Sequence, residues 1–420
     1  MGERRMAGVG RRAAVVGGSV AGLFAANLLA RRGWDVQVFE RAAGPLRSRG
    51  AGIAMHPELD PILAASGGLP CAAVGIRMEG RTAFGRDGRV LAHLPREQYV
   101  TAWSRVYQPL HAAFPAERHH AGREVVAMEA GDAKAVLRFR EGEPVEADAV
   151  LGADGVRSTL RGLLAPEAVP RYAGYVAWRG MVEEAELSER FRAETFGRFA
   201  FVFPGHGQVI GYPITGADGS VEPGRRRYNF LWYYPLDEGE ALADLFTDDT
   251  GRRYDNAIPP DLIRRDHLDR LRREARERLP PAFLEPFEKA PQFLLQPVYD
   301  LESERMAFGP VALLGDAAFV ARPHLGVGVL KAAEDAEALA ECLDSGGPVA
   351  ASLARYEQKR SGPGRDAVRA SRHLGSFIER RLEAPWSDPA LGLTPQRLLE
   401  LSASPPQRAP GTGHTAGATP

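Results

Sequence analysis

The chain has 420 residues, 44% of them apolar and 25% charged, with a net charge of −1. That length suits two domains or one large interleaved α/β unit, and the balanced charge offers no basic excess for nucleic acid. Only Lys134, Lys289, Lys331 and Lys359 are lysines, so the positive charge is almost all arginine, matched by acids. Cys71 and Cys342 have neither metal nor redox spacing and read as two free thiols, and the histidines also lack metal-ligand spacing, so no metal is expected. Met1 to Arg12 is basic but lacks the apolar core of a signal peptide, and Met6 stands where a myristoylation signal needs Ser or Thr. No apolar run reaches about 18 residues. The expectation is a cytoplasmic, unanchored protein with no membrane partner.

In chain order, Ala13 to Val16 reads as a strand, Gly17-Gly18-Ser19-Val20-Ala21-Gly22 as a tight turn, and the apolar run to Arg32 as a helix. A second strand, Asp35 to Phe39, ends at Glu40, about 20 residues past the glycines, which makes a βαβ dinucleotide-binding unit. Glycine lets the backbone approach a pyrophosphate, and the helix N-terminus offers free N–H groups. Ser19 occupies the second glycine position of the usual motif but is small enough to allow that approach. Taken alone, the turn does not separate NAD from FAD.

A turn-rich stretch, residues 41–53, precedes helical spacing over 57–66 and loosely alternating strands over 75–94. Residues 100–114 read as a helix with Arg105 near its start and Pro109 weakening it, while His119-His120 reads as loop. Strands follow over 124–129, 135–140 and 147–151, the last running into Gly152-Ala153-Asp154-Gly155. From Arg171 aromatic and β-branched residues crowd together, and 172–182, 198–203, 208–214 and 226–234 read as a β-meander. An exposed amphipathic helix is expected over 261–279 and a strand over 309–314, which enters Gly315-Asp316. A helix after Pro323 reaches about Leu343, another covers 352–383 with an interruption at Gly362-Pro363-Gly364, and from Ser402 the chain reads as a disordered tail.

Three strand-to-glycine turns so far apart resemble one family, the group A FAD-dependent aromatic hydroxylases. Gly17 to Gly22 matches its pyrophosphate turn, Gly152-Ala153-Asp154-Gly155 the turn between FAD and the nicotinamide, and Gly315-Asp316 the turn holding the ribityl chain. The GGSxxGL form of the first turn, Tyr172 to Gly180, Arg322-Pro323-His324 and Lys331-Ala332 resemble the 2,6-dihydroxypyridine 3-monooxygenase-like branch in particular. The resemblance implies an α/β fold: a Rossmann-like, glutathione-reductase-type FAD-binding domain interleaved with an antiparallel β-sheet substrate domain, plus C-terminal helices. Residues 10–75, 95–170 and 296–345 would form the FAD-binding domain, 76–94 and 171–295 the substrate sheet, 346–400 the helical region and 401–420 the tail.

It further implies FAD as cofactor, NADH or NADPH as electron donor, and O2 and a small aromatic substrate as partners; a homodimer is left open. Gly17, Gly18, Ser19, Val20, Ala21 and Gly22 would surround the pyrophosphate, Glu40 the adenosine ribose, and Arg105 the phosphates and ribityl chain. Arg41, Asp154 and Asp316 join this cofactor set. Backbone N–H groups of Gly326, Val327 and Gly328 would hold the flavin pyrimidine, although the family's Gly-Gln-Gly is altered there, and Phe319 and Leu330 replace its usual His and Asn. The implied chemistry is reduction of FAD, formation of a C(4a)-hydroperoxide, and hydroxylation of an electron-rich aromatic or N-heteroaromatic ring. Epoxidation or oxidative rearrangement of a larger natural-product skeleton shares every motif, and a non-catalytic flavin-binding protein is the alternative of a different class. For the pocket, Tyr175, Ala177 and Arg179 share one strand face, and Tyr228, Phe230, Trp232 and Tyr234 share another; either covers the flavin or is ordinary core. Arg179 and Tyr212 are candidates to meet a substrate anion or phenol. His324 is either a base taking a substrate proton or a structural residue fixing its loop.

Overall fold

A computed structural model describes residues 10–44, 46, 52–255 and 257–406. Met1 to Val9, part of the expected 41–53 turn region, and the tail beyond 406 lie outside the described residues. A six-stranded sheet places Ala307–Phe308, Val311–Leu313, Ala149–Gly152, Arg12–Val16, Asp35–Glu40 and His119–Ala121 side by side. All are parallel except the Ala307–Phe308 edge. Its central strands are apolar throughout because helices cover both faces. The helix Val20–Ala30 is apolar all round for the same reason, packing between this sheet and the helices Gly328–Asp344 and Ser104–Ala113.

A nine-stranded sheet runs in the order Phe319–Val320, Phe293–Glu302, Arg171–Glu183, Arg227–Pro235, Gln208–Ile214, Phe199–Val202, Ile76–Phe84, Val90–Ala102, Gly52–Met55. Only Phe199–Val202 and Ile76–Phe84 pair in parallel. Strand alternation gives it two apolar faces. Val176, Trp178, Tyr228, Phe230 and Trp232 point outward and pack on Leu271, Ala275, Phe283 and Phe287 of the helices Arg265–Arg278 and Pro281–Lys289. Tyr175, Ala177, Tyr212, Leu231 and Tyr233 point inward, toward Phe377 and Ile378 of the long helix Val349–Glu379. A small sheet of Val125–Ala130, Ala135–Phe139 and Val145–Ala147 completes the fold. No helix among the described residues is long and apolar enough to cross a membrane.

Several sequence expectations change. The large sheet takes in 52–55 and its strands continue through 102 and 302, past the limits at 75, 94 and 295. The expected strand 147–151 is two, one ending at Ala147 in the small sheet and one from Ala149 in the parallel sheet. His119 and His120 form an edge strand beside Asp35–Glu40, with the His120 ring bonded to Gln37 at 2.6 Å. Gly362-Pro363-Gly364 does not interrupt its helix. Gly364 is there for space, since a Cβ would sit 2.4 Å from the Phe319 ring. Residues 402–404 are buried and folded, so the chain stays ordered past 401.

Candidate active site at the glycine turns

The three turns leave neighbouring parallel strands at the same sheet edge, the carboxyl end, where open α/β sheets bind their ligands. Ala153 N donates to Val16 O at 2.8 Å and Leu314 N to Gly152 O at 2.9 Å, which carries the pairing up into the turns. Gly17 has φ +110° and a Cβ on it would lie 2.3 Å from Ala153 O; on Gly22 it would lie 1.9 Å from Gly17 O. Gly315, at φ +61°, packs on the first turn, a Cβ there falling 3.0 Å from Ala21 Cβ. Arg161 ties the second turn to the third by donating to Val156 O at 2.5 Å and Ala317 O at 3.1 Å. Three segments distant in sequence thus make one cradle, and glycine is required because the backbones touch.

The helix Val20–Ala30 begins at Ser19 with no side-chain cap and no acid in its first turn, which leaves its N–H groups to an anion such as a pyrophosphate. Glu40 is 8% exposed and is fixed by two N–H donors, Gly18 at 2.9 Å and Ala42 at 2.9 Å. Each carboxylate oxygen keeps a second lone pair for a ribose diol. Arg41 is exposed beside the turn. His119, read from sequence only as loop, has a buried Nε2 without a partner; a Cβ on Gly18 would come within 2.6 Å of it. Nothing in a His-His pair signals this, because the contact depends on strand order.

Asp154 differs from a direct cofactor contact. It accepts from Ser158 Oγ at 2.6 Å and Leu160 N at 3.2 Å, so its oxygens hold the turn and the start of the helix Thr159–Leu164. Burial pushes its carboxyl up, against those hydrogen bonds. Asp316 stands open. Its surroundings desolvate it and raise its carboxyl, with Lys331 opposing, yet 53% of the side chain is reached by solvent, the geometry of a cleft wall. Lys331 Nζ is buried without a hydrogen bond, 3.7 Å from Asp316 and 3.9 Å from Asp335. Asp335 in turn accepts from Gly315 N at 3.0 Å and Arg360 Nε at 2.6 Å, anchoring the turn to the long helix.

Gly326, Val327 and Gly328 lead into the 17-residue helix Gly328–Asp344, which again lacks a side-chain cap and a first-turn acid. A Cβ on Gly328 would meet nothing within 4 Å, so there is open space beside the start of this helix. His56, also missed in sequence, fixes this loop through a 2.9 Å contact of Nε2 with Gly326 O. Arg105 reaches toward Gly219 and has a buried Nε without a partner. Cradle, ribose carboxylate, open cleft acid and bare helix N-terminus together fit FAD.

The pocket candidates separate. Tyr228, Phe230 and Trp232 belong to the outer core, and Tyr234 donates to Glu274 at 2.7 Å on the same side, so that face does not cover the cleft. On the inner face, Arg179 Nε is buried and unpartnered, and no carboxylate pairs with Arg179 among the described residues. Burial raises the Tyr212 phenol and raises Tyr233 to about 12, and Arg179 draws both back down. Tyr212 faces Asn229 across the strands; Asn229 is fully buried, accepts from Gly52 N at 3.1 Å and has an unpartnered Nδ2. Arg179, Asn229, Arg227, Glu183 and Gln292 line one cavity here. His324 lies elsewhere, 4% exposed, with Nε2 2.7 Å from Tyr175 Oη and its ring 4.6 Å from that of Tyr233. Burial, helped by Arg322, lowers it to about 3, so it is neutral and a weak proton acceptor.

The family described as FAD binding domain-like matches residues 172–300, and the NAD(P)-binding Rossmann-like domain matches 15–49. 2,6-Dihydroxypyridine 3-monooxygenase of Paenarthrobacter nicotinovorans is 32% identical over 88% of this chain and 91% of its own. 3-Amino-4-hydroxybenzoate 2-monooxygenase of Streptomyces cremeus is 30% identical over 86% of each chain. Among solved structures, 2,6-dihydroxypyridine-3-hydroxylase from Arthrobacter nicotinovorans superposes with a TM-score of 0.83 at 30% identity, covering 91% of this chain and 96% of that one. Klebsiella pneumoniae HpxO complexed with FAD and uric acid shares the fold at a TM-score of 0.72 and 22% identity, covering 93% of each chain. The chain belongs to the group A FAD-dependent aromatic hydroxylases.

Proposed function

We propose that this FAD-dependent monooxygenase hydroxylates a small electron-rich aromatic or N-heteroaromatic ring bearing an oxyanion, a carboxylate or ring oxide, with NAD(P)H and O2 as co-substrates. The observation that carries the substrate class is Arg179, a guanidinium with no acid partner among the described residues, beside the unpartnered Asn229 Nδ2 and two buried tyrosines. Arg179 is half-buried with its Nε out of solvent and no counter-charge, and an anionic ligand supplies the missing partner. The names of the relatives, acting on a dihydroxypyridine and an aminohydroxybenzoate, agree with that chemistry.

Bound FAD, reduced by the nicotinamide and meeting O2, supplies the electrophilic oxygen. The protein's own residues do the rest. Gly17 to Gly22, Glu40 and Arg105 would hold the phosphates and ribose of FAD, Asp316 its ribityl hydroxyls, and the N–H groups of Val327 and Gly328 its pyrimidine. Arg179, with Asn229, orients the substrate anion and favours the ionised, more electron-rich ring. Tyr212 donates to a substrate oxygen from an apolar wall that excludes water. His324, neutral at working pH, positions the Pro323 turn against Tyr175.

The test is a panel of hydroxypyridines and hydroxybenzoates, each paired with its neutral methyl ether or amide, scored by NAD(P)H oxidation and hydroxylated product. The anions should be turned over and the neutral partners not. Product from the neutral compounds at equal kcat/KM would contradict the reading.

A further inference from the structure

Arg81 is 1% exposed and sits on the strand Ile76–Phe84, far in sequence from what it holds. Its Nη1 donates to Leu399 O at 2.8 Å, to Ser402 O and to Ser404 Oγ at 3.0 Å. Its Nη2 donates to Ala403 O at 2.7 Å and Gln98 Oε1 at 2.6 Å. Among the described residues no carboxylate pairs with it, and burial lowers the guanidinium to about 9, so neutral oxygens, four carbonyls and the Ser404 hydroxyl, offset its charge together with the Phe199 ring 5.9 Å away. Gln98 Nε2 and Arg96 Nη1 add donors to Ala403 O and Ser404 Oγ, each at 3.0 Å.

The segment so gripped lies against the turn that faces the flavin. Ala403 N donates to His324 O at 2.9 Å, and a Cβ on Gly326 would be 3.5 Å from Ala403 Cα. Leu325 and Val327 are buried in one cluster with Leu393, against which Leu391 and Leu401 also pack. From the other side, His56 grips Gly326 O at 2.9 Å. The turn Pro323 to Gly328 is therefore held between the strand Gly52–Met55 and the C-terminal segment.

We propose that Arg81 is a positioning residue: it locks residues 399–404 as a strap that fixes the Pro323–Gly328 turn, and thereby sets how tightly FAD is held. This rests on the assignment of that turn to the flavin. The strap acts through main-chain contacts, so its geometry matters more than its side chains.

The experiment compares full-length wild type, Arg81→Met and Arg81→Lys for FAD dissociation constant, visible flavin spectrum and melting temperature of the apo form. Arg81→Met should weaken FAD at least tenfold and restore free-flavin fluorescence, and Arg81→Lys, which keeps the charge but fewer donors, should fall between. Where Arg81→Met does not fold, Ala403→Pro reads the same quantity: Ala403 has φ +46°, which proline cannot adopt, and loses the N–H to His324 O. A folded Arg81→Met or Ala403→Pro with FAD affinity and spectrum within twofold of wild type overturns the proposal, as does a lower melting temperature with flavin binding unchanged. A wild type that bound no FAD would instead refute the cofactor assignment itself.

Discussion

Replacing Gly17 by alanine separates a glycine that the cradle requires from one that merely bends the chain. At φ +110° a side chain costs about 1–3 kcal/mol in backbone strain. The new Cβ also falls 2.3 Å from Ala153 O, a backbone atom that cannot swing aside, so overpacking adds about 1–3 kcal/mol. Relief requires parting the first turn from the second, which moves the N–H groups proposed to hold the pyrophosphate. With about 1.4 kcal/mol per tenfold in affinity, FAD binding should weaken at least ~30-fold. Gly155→Ala is the control: its φ is +79° but nothing lies within 4 Å of the new Cβ, so it bears about 1–2 kcal/mol of strain alone. Gly18→Ala falls between, since the 2.6 Å contact is the His119 ring, and His119→Ala added to it should restore part of the loss. Apo protein titrated with FAD, with flavin fluorescence as readout, gives all four constants. Gly17→Ala binding FAD as well as Gly155→Ala would refute the claim that these turns are packed against one another.

Asp335→Asn should destabilise by about 3–5 kcal/mol, because Arg360 and Lys331 lose a buried carboxylate and Gly315 N a charged acceptor; urea unfolding measures it, and a loss below 1 kcal/mol would contradict the network. His324 takes up a proton near 6.5 when unfolded but only near 3 when folded, so the unfolded state binds more protons between those values. Stability contributed by the neutral ring is therefore full above 6.5 and falls as pH drops toward 3, by up to about 1.4 kcal/mol per pH unit. His324→Gln should flatten the fall in urea midpoint between pH 6.5 and 4.5, and an unchanged slope would show that His324 is not held neutral. Arg179→Gln should raise KM for an anionic substrate by tenfold or more while leaving FAD affinity unchanged; equal loss of FAD would place Arg179 with the cofactor instead.

The cradle was legible because backbone chemistry writes itself into sequence. A strand followed by a glycine turn recurs three times, and Gly17 and Gly22 mark places where main chains touch. Side-chain partners drawn from distant strands left no such trace. His119 meets Gly18 only because the edge strand lies beside Asp35–Glu40, and Asn229 meets Tyr212 only through a register no local pattern gives. Composition misled at two points. Gly362-Pro363-Gly364 reads as a breaker, but tertiary packing against Phe319 holds the helix through it, and Ser402 to Ser404 read as tail although Arg81 donates to Ser402 O, Ala403 O and Ser404 Oγ. In sequence either aromatic face could cover the flavin or be core, and only the helices 265–278 and 281–289 show which one is buried against them.

That the cradle holds a flavin that oxygenates an aromatic anion is tested most directly by isotope labelling. Protein loaded with FAD is given NADH or NADPH, a hydroxypyridine or hydroxybenzoate and 18O2, and the product is weighed by mass spectrometry. One 18O in the ring product per nicotinamide oxidised is predicted. A flavin that both nicotinamides leave oxidised, or a product whose new oxygen comes from water, would contradict it.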